Sequence, residues 1–179
     1  KVSDKGYTVF TDNVDGSGEK EGVYYQYFDA DLGRPVVNEG EDGLQKLDYA
    51  LYKAEQEGIK LLITFTNNWE AFGGMGQYVQ WAKLAGENVS GHDDFYTNET
   101  IKGWYKDYIK TLLNHENVYT GVKYKDDPTI FSWELANEPR CESDAGCENN
   151  TVVKWATEMS AYVKSIDNNH MLAVGDEGF

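Results

Sequence analysis

Cationic side chains are scarce in this chain: 16 Lys and Arg stand against 31 Asp and Glu, a formal net charge of −15. Only two of the cations, Arg34 and Arg140, are arginines. Nucleic acids and anionic membranes are gripped through clustered Lys and Arg, so this balance argues against both partners. No run of about 18 apolar residues occurs, which rules out a bilayer-spanning helix, and the start carries no apolar leader core. Lys1 stands first instead of Met, as in a processed or excerpted sequence. Neither a phosphate-binding Gly-rich loop nor a Gly-x-Ser-x-Gly elbow is present, so nucleotide and serine-hydrolase chemistry have no support.

Core-forming residues are plentiful. A hydrophobic share of 40% with 14% aromatics exceeds what a disordered chain carries. The length of 179 residues fits one domain by the soft prior of roughly 100 to 200 residues each. The two cysteines, Cys141 and Cys147, share one polar loop and are spaced as a disulfide can bridge. Zinc is the poorer alternative, because no His or third Cys sits at ligand spacing. Sequons at Asn88, Asn98 and Asn149 fall in polar segments, and three of them beside a loop disulfide point to a secreted, extracellular glycoprotein.

Residues 1–41 show no sustained period. The acidic turn at 12–18 misses calcium-loop spacing, since Gly22 stands where the closing Glu belongs. Leu44, Leu47, Leu51 and Ala54 then recur at helical spacing, with Asp42 as the expected cap and Gly58 as the stop. The β-rich run Ile59 to Thr66 reads as a buried strand and ends in Asn67-Asn68-Trp69. A Gly-rich turn, a short amphipathic piece from Tyr78 to Leu84 and a polar loop to Asn98 follow. A helix bearing Ile101, Trp104, Tyr108 and Leu112 leads to a strand, 129–135, that runs into Asn137-Glu138-Pro139-Arg140. A third helix (Val152, Trp155, Met159, Ile166) and a last strand, 171–175, ending in Asp176-Glu177, complete the pattern. Alternating helix and strand is the rhythm of βα units around a parallel sheet.

Functional groups in such folds gather at the carboxyl ends of the strands. A carboxylate leaving an almost wholly apolar strand is partly desolvated, which favours the protonated form a general acid needs, so Glu138 leads the candidates. Asn137 can donate to and accept from sugar hydroxyls. Trp69 offers a flat apolar face for a pyranose ring, and Arg140 and Glu177 add polar contacts. Plainer readings stand beside these: Glu138 as a solvated loop carboxylate, Trp69 as core. Glu134 shares the side-chain parity of Glu138 and reads as a hydrogen-bonded interior carboxylate. His92, His115 and His170 have no paired acid or nucleophile in sequence and receive no chemistry.

The run from Trp133 to Cys141 resembles the fourth-strand motif of glycoside hydrolase family 5, in its endo-β-1,4-mannanase group. Gly43 to Tyr49, Gly58 to Leu62, Asn67-Asn68-Trp69, Gly73-Gly74, Asp127 to Phe131, Asp167 to His170 and Gly175 to Gly178 are similar in order and spacing. Asn-Glu-Pro is shared by the wider clan of retaining glycosidases, whereas Arg-Cys after it and Asn-Asn-Trp upstream narrow the likeness to mannanases. The resemblance implies a (β/α)₈ TIM barrel, of which this chain covers roughly strands three to five. Residues 1–179 would then form one partial catalytic domain, with 1–23 divergent, since such a barrel takes about 250 residues. It implies hydrolysis of β-1,4 bonds in mannans, galactomannans and glucomannans with retention, Glu138 being the acid/base and Asn137 holding the sugar. Trp69, with Asn68 beside it, would line the glycone side; Arg140 and Glu177 would bind sugar on the aglycone side; Cys141 and Cys147 match a loop disulfide.

No metal or organic cofactor is implied, and the complete protein is expected to be a monomer acting on β-mannan. The nucleophilic Glu of the family lies on the seventh strand, beyond this sequence, so the isolated chain is expected to be inactive and poorly stable. Relatives also carry an Arg at the end of strand two; the matching region, Tyr7 to Val14, has none. A family-5 β-1,4-glucanase and a non-catalytic, degenerate carbohydrate-binding relative stay open as alternatives.

Overall fold

The computed structural model describes residues 2–3, 6–10, 22–143 and 148–177, with side chains from residue 22 onward except that of Asn149. Its main sheet has the order β1 (Val2–Ser3), β2 (Gly6–Phe10), β5 (Lys60–Thr64), β6 (Ile130–Glu134), β7 (Met171–Ala173). The last four are mutually parallel, and β1 runs antiparallel beside β2. Spatial order follows chain order with no reversal, so the helical crossovers, right-handed as such connections are, fall on one face. That is the layout of a barrel wall and not of a doubly wound sheet, which needs a switch point.

The sheet holds one more parallel strand than the three read from sequence. Gly6–Phe10 aligns residue for residue with Lys60–Thr64. The segment without the expected Arg therefore sits in the sheet instead of preceding it, although residues 11–14 of that region lie outside the described residues. A hairpin, β3 (Gln26–Asp29) with β4 (Arg34–Val37), also forms where no period was legible.

Helix α1 (Leu44–Gln56) follows the predicted apolar spacing: Leu44, Leu47, Leu51 and Ala54 are all buried. Its cap differs. Gly43 occupies the N-cap without a side-chain bond, while Asp42 Oδ1 accepts from Asn38 Nδ2 at 3.1 Å. Gly58, at φ +67°, ends the helix as expected. Helix α2 (Gly74–Leu84) begins hard against the end of β5, and a short helix, α3 (Asp94–Thr97), interrupts the expected polar loop. Helix α4 (Glu99–Asn114) is capped by Asn98, whose Oδ1 accepts from Ile101 N–H at 3.0 Å. Helix α5 (Thr151–Ile166) packs on α4 and leads into β7.

The core lies between helices and sheet. Leu61, Ile63 and Phe65 alternate toward the helices, and Phe65 stacks on Trp133 at 5.1 Å between ring centroids. Phe95, Tyr105 and Trp155 continue the aromatic layer with centroids 5.4 to 5.9 Å apart. Each fully buried aromatic contributes about 1.5–3 kcal/mol, so this layer fixes the wall from which the strand ends project.

Candidate active site

Hydrogen bonding between neighbours continues past the regular strands, and it is this extension that assembles the site. Phe65 N–H donates to Glu134 O at 2.9 Å, Asn137 N–H to Thr66 O at 2.9 Å, and Asn68 N–H to Asn137 O at 3.0 Å. On the other side Leu135 N–H donates to Ala173 O and Glu138 N–H to Gly175 O, at 2.9 and 3.0 Å. Asn67 to Trp69, Asn137 to Arg140 and Gly175 to Glu177 are thereby zipped together at the carboxyl ends of β5, β6 and β7.

Two glycines make the close approaches. Gly74, at φ +63°, lets the start of α2 press on the carbonyl of Trp69, where a side chain would overlap it. Gly175, at φ +93°, lies against the Ala136 carbonyl and 2.9 Å, from where its Cβ would be, to Glu134 Cδ. Glu138 itself sits at φ +52°, a left-handed backbone that a non-glycine residue adopts at a cost. Strain of this kind is sustained where neighbours over-determine the conformation, and it collects at functional sites.

The side chains converge. Trp69 is 43% exposed, so it belongs to the rim and not to the core. Its indole Nε1–H donates to Glu138 Oε2 at 2.6 Å. The Arg140 guanidinium covers one face of the indole, 4.9 Å from the ring centroid, and is ion-paired with Glu177. Asn137 donates from Nδ2 to Asn67 Oδ1 at 3.0 Å. Asn68 is placed differently: only 2% exposed, it accepts through Oδ1 from Arg140 N–H at 3.3 Å and from the Tyr96 hydroxyl at 3.4 Å. Glu134 is half-buried on the inner face and accepts from the Thr64 hydroxyl at 2.9 Å. Burial pushes its carboxyl above the usual range, against the opposing Thr64 bond.

One functional layer was illegible in sequence. His92 approaches Asn68 O at 3.1 Å and Asp93 Oδ1 at 3.2 Å. Asp93 in turn accepts from Glu142 N–H, Ser143 N–H and the Ser143 hydroxyl, at 2.8, 3.0 and 2.6 Å. Burial alone would raise the Asp93 carboxyl; these bonds outweigh it and hold the group below its usual range. Asp93 thus clamps the loop that leaves Arg140. A groove of about 540 Å³ is lined by Trp69, Gln80, Lys83, His92 and Glu142.

A family model described as GH family 5 beta-mannosidase-like matches residues 34–179. The chain belongs to this family. It is 52% identical over 139 residues to mannan endo-1,4-beta-mannosidase 7 of Arabidopsis thaliana and 50% identical over 142 residues to mannan endo-1,4-beta-mannosidase 1 of Oryza sativa subsp. japonica. Those alignments cover 78% and 79% of this chain and 32% of each relative. The chain therefore spans about a third of the length of these curated relatives. It superposes on the crystal structure of an endo-1,4-beta-mannanase from Rhizomucor miehei with a TM-score of 0.84 at 44% identity, over 96% of this chain and 48% of that one. The wall of parallel strands is accordingly part of a family-5 (β/α)₈ barrel.

Cys141 is half-buried, and Cys147 lies outside the described residues, as does the side chain of Asn149. Asn88 is exposed; Asn98 is half-buried and caps α4, while Thr100 of its sequon donates to Glu87 Oε1 at 2.9 Å. Among the described residues no three His, Cys, Asp or Glu groups are arranged to hold a metal ion. Chemically, the rim presents a carboxyl with one oxygen held by a fixed donor, beside an amide, an aromatic ring and an ion pair. That set suits proton transfer to a glycosidic oxygen among sugar hydroxyls.

Proposed function

We propose that the polypeptide to which this chain belongs is a retaining endo-β-1,4-mannanase, with mannans, galactomannans and glucomannans as substrates and Glu138 as its acid/base. The observation that carries this reading is Glu138 itself, in a left-handed conformation at the carboxyl end of β6 with its carboxyl presented at the open rim. In the first step Glu138 protonates the leaving oxygen while a second carboxylate, from outside this chain, attacks the anomeric carbon. In the second, Glu138 as base takes a proton from the water that releases the sugar. Asn137 holds the sugar at the point of cleavage, Trp69 lines the glycone side, and Arg140 with Glu177 binds sugar on the aglycone side. Asn68 serves these groups from below, by anchoring the Arg140 main chain.

Secretion is part of the reading, supported by the three sequons and the Cys141–Cys147 spacing. The complete protein acts as a monomer on a neutral polysaccharide, for which the acidic surface is no obstacle. Parallel assays of the full-length polypeptide on galactomannan and carboxymethylcellulose test the substrate. Preference for galactomannan is expected; preference for carboxymethylcellulose assigns a β-1,4-glucanase, and turnover of neither supports a degenerate binding protein.

A further inference from the structure

The bond between Trp69 and Glu138 does more than fill the rim. An indole N–H is a donor with no acceptor capacity, so the carboxyl oxygen it touches must be an acceptor in both ionisation states of Glu138. At 2.6 Å that oxygen is Oε2, and among the described residues no other group donates to this carboxyl. Both partners are held from elsewhere. Glu138 N–H is fixed by Gly175 O, Trp69 N–H donates to Asn67 Oδ1 at 3.2 Å, and Arg140, paired with Glu177, lies across the indole face.

We propose that Trp69 is a positioning residue for proton transfer: it reserves Oε2 as a permanent acceptor and so assigns the travelling proton to Oε1 of Glu138. This rests on reading Glu138 as the acid/base. In the acid step the proton leaves Oε1 for the glycosidic oxygen as the bond from that oxygen to the anomeric carbon breaks. In the base step Oε1 recovers a proton from the attacking water. The indole bond persists throughout, and it is charge-assisted when the carboxyl is ionised. A sugar stacked on the free face of the ring would leave this bond intact.

The test uses the full-length polypeptide and the substitution W69F, which keeps a flat apolar ring and removes the N–H. Two substrates are compared, a β-1,4-mannooligosaccharide and its dinitrophenyl glycoside, whose leaving group needs no proton. W69F is expected to lower kcat/KM about ten- to hundredfold on the oligosaccharide and far less on the activated glycoside. Equal losses on both substrates would overturn the proposal in favour of sugar stacking alone. E138Q run alongside separates the two claims, because full turnover there refutes the acid/base reading whatever W69F does. If W69F fails to fold, the indole ¹⁵N–¹H resonance of Trp69 decides: it should move when E138Q replaces the charged acceptor, and a resonance unmoved by E138Q contradicts the assignment.

Discussion

Glu138 was legible because chemistry and position coincide: a carboxylate ends an apolar strand of a βα pattern, where such folds keep their reactive groups. Trp69 was legible as a sugar-stacking candidate, but its bond to Glu138 was not, since the two lie 69 residues apart and nothing local ties them. Gly175 read in sequence as the last residue of a strand within the family likeness, with nothing to show its contact with Glu138. In the structure its carbonyl seats the Glu138 amide and its missing side chain makes room for the Ala136 carbonyl. Replacing it by alanine demands φ +93° of a residue with a Cβ and forces the strand ends apart. G175A is therefore expected to cost about 2–4 kcal/mol in denaturant unfolding and to depress turnover disproportionately. A variant of unchanged stability and activity would show that the Glu138 seat tolerates displacement.

At the scale of elements, long amphipathic helices and apolar strands announced themselves through period, as α1, α4, α5, β5 and β6 show. Strand β2 and the β3–β4 hairpin did not: Gly6–Phe10 is five residues long, and its strand character comes from pairing with β5. The same limit hid the joint between α1 and α4. His115, at the end of α4 and 7% exposed, contacts Asp48 and Glu39 carboxylates at 3.0 Å each. Tyr124 donates to Asp48 at 2.6 Å and Asn117 Nδ2 to the Asp48 carbonyl at 3.0 Å.

Burial opposes a charge on His115, but the bonds to Asp48 and Glu39 outweigh it and hold the imidazole above its usual range. A raised folded value means a contribution fully present below about pH 6.5 and lost as pH rises through the folded value. H115Q should therefore cost about 1–3 kcal/mol near pH 6 and flatten the decline of stability above it, read from denaturant midpoints across pH 5.5 to 9. An unchanged slope would mean that this joint titrates elsewhere.

At the scale of the molecule, helices cover one face of the sheet among the described residues, while the inner face is open. Phe65, Trp133 and Trp155 are buried under the helices, whereas Met171 on β7 is 53% exposed. The sequence conveyed the outer layer because helices and apolar strands encode it locally. It could not convey the closing of strand ends into one rim, which depends on register between segments about 70 residues apart. That rim turns a family likeness into a chemical claim, and the claim rests on one carboxyl. Its most direct test is the turnover of galactomannan by the full-length polypeptide with and without E138Q, together with binding of mannooligosaccharide to both. Binding is expected to stay within a few-fold while turnover falls about 10²- to 10⁴-fold; turnover within a few-fold of the unsubstituted protein would contradict an acid/base role for Glu138.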